Sequence, residues 1–144
     1  MNVRKRSPDK LMAKAEGFCA AARLLLEAGH IDDAATRAYY AMFDAARAAL
    51  LASGAPVDLN NVRTHKGLIS AFGEHLVKNG LVSKELNRFF IDALEVRLEA
   101  DYDDDHVGFE DVKDIVEQAE IFVSTMRKQF MLNSNDDNNG GTGH

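Results

Sequence analysis

Apolar residues recur every three or four positions along almost the whole chain between residues 8 and 132, which is the spacing of one face of an α-helix. Alternating runs of β-branched residues, which would indicate strands, are missing from the sequence. The pattern is clearest in the first segment, where the apolar positions are Leu11, Ala15, Phe18, Ala22, Leu25 and Leu26. The chain is therefore predicted to be all-α.

Residues that start and stop helices divide this pattern into five segments. Ser7 precedes a proline and can cap a first helix, and Ser83 can cap a fourth. Gly54 with Pro56 ends the second helix, and Gly80 ends the third. The predicted helices span about residues 8–29, 32–53, 64–78, 84–101 and 110–132. Because the connections are short, we expect an antiparallel up-and-down bundle of four long helices plus one shorter helix.

The two ends of the chain lack this pattern. Residues 1–7 are mostly basic and polar and are predicted to be a flexible N-terminus. Residues 133–144 have no apolar side chain to bury, which predicts a disordered polar tail. Residues 8–132 are then one helical domain, long enough to bury a core without disulfides or a metal.

Charged and phenolic groups interrupt the apolar pattern of the second helix. Arg37, Tyr40, Asp44 and Arg47 fall on one stripe beside the buried face. An arginine near a core needs a carboxylate, a phosphate or water beside it. The stripe is either a structural ion-pair network or part of a functional site.

The fourth helix repeats this arrangement. Phe90, Leu94, Arg97 and Asp101 share one face, so an arginine and a carboxylate follow two apolar residues. Asp44 and Asp101 are the internal carboxylates that we expect beside the arginines. Two helices would thus each bring an arginine and an aspartate towards an interior or an interface.

Composition excludes several classes of protein. The five histidines lack the paired spacing of a zinc site, so we predict no metal and no cofactor. The single cysteine, Cys19, lies in the apolar pattern of the first helix and is predicted to be a buried thiol. No apolar run is long enough to cross a bilayer and no signal peptide is recognisable, which predicts a cytoplasmic protein without a membrane partner. The net charge of -6 argues against broad nonspecific nucleic-acid binding.

The start of the third helix has two residues that suit an anion. His65 and Lys66 lie in its first turn, where free backbone N–H groups favour negative charge. The alternative is a solvated helix start with no ligand. Tyr39, Met42 and Phe43, by contrast, are predicted to pack in the core rather than to stack on bases.

Three segments together resemble the HEPN domain, the "higher eukaryotes and prokaryotes nucleotide-binding" helical family, in its small stand-alone prokaryotic branch. They are residues 37–43 (Arg-Ala-Tyr-Tyr-Ala-Met-Phe), residues 64–68 (Thr-His-Lys-Gly-Leu) and residues 97–102, where an arginine is followed by Ala-Asp-Tyr. The resemblance implies a bundle of four long helices and a shorter one, and a homodimer. It also implies genetic pairing with a minimal nucleotidyltransferase as a toxin–antitoxin system.

Many HEPN proteins are metal-independent ribonucleases that use an arginine followed, after four to six residues, by a histidine. In this chain the positions after Arg97 where histidine is required hold Tyr102, Asp103 and Asp104, and His106 comes too late. The catalytic candidates that the resemblance leaves are Arg97, Asp101 and His106. A tyrosine near this motif receives nucleotidyl groups in related pairs, which makes Tyr102 a candidate acceptor by analogy.

Three functions remain open on the sequence. The first is a regulatory or partner-binding HEPN protein of a toxin–antitoxin or nucleotidyltransferase-associated pair that binds a nucleotide or RNA. The second is an RNA endonuclease with a rearranged site. The third is a non-catalytic structural dimer in which the polar residues only fix the register of the helices. The residues assigned to ligand or partner binding are Arg37, Tyr40, Asp44, Arg47, His65, Lys66 and Tyr102.

Overall fold

A computed structural model describes residues 7–58, 61–102 and 107–131, without the side chains of Asn61, Asp101 and Tyr102. Within these residues the chain forms five α-helices and no strand, which confirms the predicted all-α class. The helices are α1 (Pro8–Glu27), α2 (Ile31–Ser53), α3 (His65–Phe72), α4 (Lys84–Tyr102) and α5 (Phe109–Met126). A 3-10 turn, Asn61–Arg63, precedes α3.

The helix ends lie where the cap residues predicted them. The Ser7 hydroxyl accepts a hydrogen bond from the Lys10 amide at 3.1 Å and caps α1, with Pro8 at its first position. Gly54 ends α2 with a φ of 77°, the left-handed conformation that glycine adopts without strain. The Ser83 hydroxyl accepts from the Leu86 amide at 3.1 Å at the start of α4.

Two helices differ from the prediction because they change their hydrogen-bond pattern before they end. α3 was expected to run unbroken to about residue 78, but it passes into a π-helical turn, Gly73–Val77, closed by the Lys78 amide on the Gly73 carbonyl at 2.9 Å. α5 likewise passes into a π-helical turn, Arg127–Met131. A π turn shifts the following side chains by one position, and a search for a constant period does not detect that shift.

α2 is the central helix of the bundle, and α1, α3, α4 and α5 all pack against it. Its buried face is built largely from alanines, whose small side chains let the neighbouring helices approach closely. Beside α2 lies a cluster of three buried rings, Phe72, Phe90 and Phe122, with centroids 5.7 to 5.8 Å apart. The cluster joins α3, α4 and α5 behind the central helix.

Two ion pairs join α1 to the C-terminal part of the chain, and we call them the α1/α5 ion pairs. Arg23 donates to both carboxylate oxygens of Glu120 at 2.7 and 3.1 Å. Arg127 likewise donates to both oxygens of Glu16, through Nη2 at 3.1 Å and through Nε. All four side chains are about one-third to two-fifths exposed.

Several predictions fall outside the described residues. They are residues 1–6 of the predicted flexible N-terminus, the predicted disordered tail at 133–144, and residues 103–106, which include His106. The domain boundaries at residues 8 and 132 therefore stay predictions. In the described ranges, no helix combines the length and the apolar character that a membrane span requires.

Candidate functional site

Arg97 is held by two phenol rings of the central helix. From α4, its guanidinium carbon lies 5.5 Å from the ring centroid of Tyr39 and 5.3 Å from that of Tyr40. Its Nη2 donates to the Tyr40 hydroxyl at 3.4 Å. Arginine stacks on aromatic faces in this way because the ring face carries partial negative charge. The two tyrosines therefore fix the position of a half-buried guanidinium.

Of the two tyrosines that contact Arg97, Tyr39 is completely buried. Its ring stacks on Phe90 at 5.9 Å and meets Phe43 edge-on at 6.0 Å. Burial raises the pKa of the Tyr39 phenol, and the nearby positive charge of Arg97 opposes this only in part. The hydroxyl consequently stays protonated at neutral pH and needs a hydrogen-bond partner inside the protein.

That partner is His65, the first residue of α3. The Tyr39 hydroxyl and His65 Nδ1 are 2.6 Å apart, and the two rings are 5.3 Å apart. Thr64 caps α3 through the Gly67 amide at 2.9 Å, which fixes the backbone at His65. Burial, and secondly the charge of Arg97, lowers the pKa of His65 below its usual 6.5, so the imidazole is neutral at physiological pH.

An acidic group lies further along α2. Asp44 is 7 % exposed and is the buried charged residue among those described. Arg47 approaches it at 3.9 Å and lies 5.9 Å from the ring centroid of Phe43. Phe43 in turn meets the His65 ring edge-on at 5.2 Å. This part of the predicted stripe combines an ion pair with ring contacts.

The other end of the stripe reaches α1. The Arg37 guanidinium carbon lies 5.8 Å from the centroid of the Phe18 ring, and the ring centroids of Phe18 and Tyr40 are 5.9 Å apart. Cations and rings thus form one continuous series of contacts across α1, α2, α3 and α4. We call this series the cation–aromatic ribbon, and its members are Arg47, Phe43, His65, Tyr39, Arg97, Tyr40, Phe18 and Arg37.

The structure assembles part of the predicted site. Five predicted residues come together: Arg37, Tyr40, Arg47, His65 and Arg97 are ribbon members, and Asp44 adjoins them through Arg47. Lys66 is exposed and lines a separate cavity of about 550 Å³ with His75 and Glu74.

Three predicted residues lie at or beyond the limit of the described chain. Asp101 and Tyr102 form the last turn of α4, but their side chains are not described, and His106 lies outside the described residues. The predicted catalytic combination of Arg97 with Asp101 and His106 therefore stays a prediction. So does the role of Tyr102 as an acceptor.

The role of the Tyr39 hydroxyl was not predicted from the sequence. Tyr39 was correctly predicted to be buried, but its contact with His65 joins residues 26 positions apart and follows from no local spacing. The available signal was a tyrosine at a core position, because a buried phenol requires a hydrogen-bond partner.

Cys19 is a buried free thiol as predicted, and burial raises its pKa to about 12, which leaves it unreactive. Among the described residues, no three side chains of His, Cys, Asp or Glu are grouped as a metal site requires.

The helical bundle and its arginine–histidine site define a small all-α domain with a half-buried cationic centre. The sequence model of the HEPN domain matches residues 9–129. A UPF0332 protein of Gloeobacter violaceus is 37% identical over 115 residues, which cover 78% of this chain and 87% of that protein. The chain belongs to the HEPN domain family.

Two further relatives extend the comparison. A protein of Methanocaldococcus jannaschii named "Putative toxin MJ0605" is 34% identical over 118 residues, 82% of this chain and 84% of that protein. A UPF0332 protein of Thermotoga maritima is 34% identical over 130 residues, 89% of this chain and 94% of that protein. The similarity covers 84% and 94% of these two relatives, and the HEPN model match at residues 9–129 includes every residue of the ribbon.

Proposed function

We propose that this chain is the HEPN component of a toxin–antitoxin pair and that it binds a phosphate-bearing ligand, a nucleotide or RNA, at Arg97. Family membership and the archaeal relative whose name carries the word toxin support the first part. The second part rests on one observation, which is the placement of Arg97 over two tyrosine rings with a neutral histidine on the same ring.

The chemistry of the site suits a phosphate. A guanidinium presents a planar set of N–H donors that matches two phosphate oxygens, and hydrogen bonds between charged groups are the strong ones. Because Tyr39 and Tyr40 hold the guanidinium in advance, little side-chain freedom is lost when a ligand binds. Arg37 and Arg47 add positive charge at the two ends of the ribbon in a protein of net charge -6.

The remaining parts of the proposal come from the family resemblance. They are a homodimer, a minimal nucleotidyltransferase as the cognate partner and a cytoplasmic location, where nucleotides and RNA are present. In such a pair Tyr102, at the end of the helix that carries Arg97, is the proposed acceptor of a nucleotidyl group. Mass analysis of the Tyr102 peptide after incubation with the cognate enzyme and ATP tests that assignment.

The experiment that tests ligand binding compares two arginines of α4. Binding of ATP and of a fluorescently labelled 12-nucleotide RNA is measured for the wild type, Arg97→Ala and Arg88→Ala. Arg88 is exposed on the same helix and has the same charge, so its removal controls for long-range electrostatics. We expect Arg97→Ala to weaken binding about tenfold or more, as the loss of a charged hydrogen bond does, and Arg88→Ala to change it less than twofold.

Equal affinities of the wild type and Arg97→Ala would contradict the proposal, provided that circular dichroism shows both variants folded. The same RNA is analysed for strand breaks in the presence of EDTA. Cleavage that requires Arg97 would assign the alternative function, a metal-independent ribonuclease.

A further inference from the structure

The hydrogen bond between Tyr39 and His65 decides what the histidine can do. The atoms Tyr39 Oη and His65 Nδ1 are 2.6 Å apart, so one hydrogen lies between them. Either the phenol donates to an unprotonated Nδ1, and the ring proton is on Nε2, or the ring donates from Nδ1, and Nε2 carries a lone pair. In the first case Nε2 is a hydrogen-bond donor, and in the second it is a base.

Three physical arguments favour the phenol as the donor. A phenol is a stronger donor than a neutral imidazole N–H, and an imidazole nitrogen is a stronger acceptor than a phenol oxygen. Tyr39 is completely buried, so its hydroxyl hydrogen requires an acceptor within the protein, and Nδ1 is at the right distance. Burial also keeps Tyr39 protonated and His65 neutral, which is the pair of states that this bond requires.

We propose that Tyr39 fixes His65 in the tautomer with its proton on Nε2, and that this N–H is a second, neutral donor to the phosphate that Arg97 binds. The proposal deepens the proposed function and rests on it. His65 is half-buried at the first turn of α3, so the residue is partly exposed to solvent. Both His65 and Arg97 lie against the Tyr39 ring, and the charge of Arg97 acts on the imidazole, so the neutral and the charged donor are near neighbours.

This arrangement makes the site a phosphate receptor and removes His65 from proton transfer. Deprotonation of a ribose 2′-hydroxyl needs an imidazole nitrogen with a free lone pair. In the proposed tautomer Nε2 already carries a proton, and the lone pair of Nδ1 is occupied by the Tyr39 hydroxyl. We therefore expect the protein to bind RNA or a nucleotide through His65 without using this residue as a base.

Nuclear magnetic resonance tests the tautomer directly. The nitrogen shifts of the His65 ring report which nitrogen is protonated, and a pH titration gives its pKa in the wild type, Tyr39→Phe and Tyr40→Phe. A phenol that donates to Nδ1 stabilises only the neutral imidazole, so its removal in Tyr39→Phe raises the pKa of His65. A ring that donates from Nδ1 loses a partner that stabilises the imidazolium, and its pKa falls instead.

A proton on Nε2 and a raised pKa in Tyr39→Phe support the proposal, whereas a proton on Nδ1 or a lowered pKa overturns it. Tyr40→Phe is the matched control, because it removes a neighbouring hydroxyl that contacts Arg97 and not His65. The phenylalanine at either position keeps the ring that packs against Arg97.

Ligand binding tests the second half of the proposal. Affinities for ATP and for the 12-nucleotide RNA are measured for His65→Ala, His65→Gln and His75→Gln. We expect His65→Ala to weaken binding about tenfold, while His65→Gln, whose amide N–H replaces the Nε2 donor, loses about threefold or less. His75→Gln controls for the loss of an imidazole elsewhere on the chain. The probe that binds more tightly, ATP or RNA, shows whether the phosphate belongs to a nucleotide or to RNA.

Failure of this proposal is distinguishable from failure of the proposed function. Binding that is lost in Arg97→Ala and unchanged in His65→Ala overturns the role of His65 and leaves Arg97 as the ligand residue. No binding of either probe to the wild type overturns both. RNA cleavage that His65→Gln abolishes while binding persists would make His65 a base and contradict the proposal.

Discussion

The α1/α5 ion pairs and the cation–aromatic ribbon hold their arginines in different ways. Arg23 and Arg127 each donate to both oxygens of a glutamate, which supplies a full counter-charge. Arg97, in contrast, lies over two phenol rings, which stabilise a cation through the partial negative charge of the ring face. One surface thus uses arginine–glutamate pairs to join helices, whereas the other packs an arginine against aromatic rings.

The two regions also differ in depth. The α1/α5 ion pairs are partly exposed, and pairs of this kind contribute little to stability because water and salt screen them. The ribbon rests on Tyr39, which is completely buried against Phe90. The packing of this core residue fixes the geometry at the centre of the ribbon.

The largest expected effect on stability comes from removing the Phe90 ring, which stacks on Tyr39. Phe90→Ala should lower the free energy of unfolding by about 3–5 kcal/mol, because it opens a cavity where Tyr39, Phe72 and Phe122 meet. Ile121→Ala, on an exposed part of α5, should cost less than about 1 kcal/mol. Urea denaturation measures both values, and similar losses in the two variants would show that the ring cluster does not support the ribbon.

A smaller effect separates the two kinds of ion pair. Asp44→Ala removes a buried carboxylate beside Arg47 and should cost about 3 kcal/mol, because a positive charge near the core loses a carboxylate partner. Glu120→Ala removes a partly exposed carboxylate from Arg23 and should cost about 1 kcal/mol or less. If thermal and urea denaturation give equal losses for both, the distinction between the two regions is wrong.

The smallest effect is the dependence of stability on pH that His65 contributes. The pKa of His65 is lowered in the folded protein, so the unfolded chain binds a proton first as the pH falls. Stability from this group is therefore complete above about pH 6.5, the ordinary histidine pKa, and is lost as the pH falls below it towards the folded pKa. His65→Gln should flatten the curve of unfolding free energy in this window, whereas an unchanged slope would show that His65 is not in the described environment.

The sequence predicted the helices well because caps and apolar spacing are local signals. Ser7, Gly54 and Ser83 end or begin helices at their predicted places. The two π-helical turns were not predicted, because they keep the residues helical and change only the hydrogen-bond partner. The ends of a helix thus depend on residues that are close in sequence, whereas the hydrogen-bond pattern within a helix also depends on packing.

The site was predictable only in part. Charged and phenolic residues beside apolar helix faces indicated Arg97 and Tyr40 as candidate site residues. In the structure, Arg97 Nη2 donates to the Tyr40 hydroxyl at 3.4 Å. The partnership of Tyr39 with His65 depends on how α3 packs against α2, which the spacing of residues along one helix does not encode. His65 was assigned to ligand binding as part of a helix start, so the residue was predicted without the neighbour that controls its protonation.

The most direct test of the account observes the arginine side chains while a ligand is added. The Nε–Hε resonances of Arg97, Arg23 and Arg127 are assigned with single Arg→Lys variants and followed by NMR as the 12-nucleotide RNA or ATP is titrated. We predict that the Arg97 resonance shifts in a saturable manner while the resonances of Arg23 and Arg127 stay in place, because a glutamate accepts from both Nε and Nη2 of each of these two arginines. Shifts at Arg23 or Arg127 with none at Arg97 would contradict the assignment of the ribbon as the binding site.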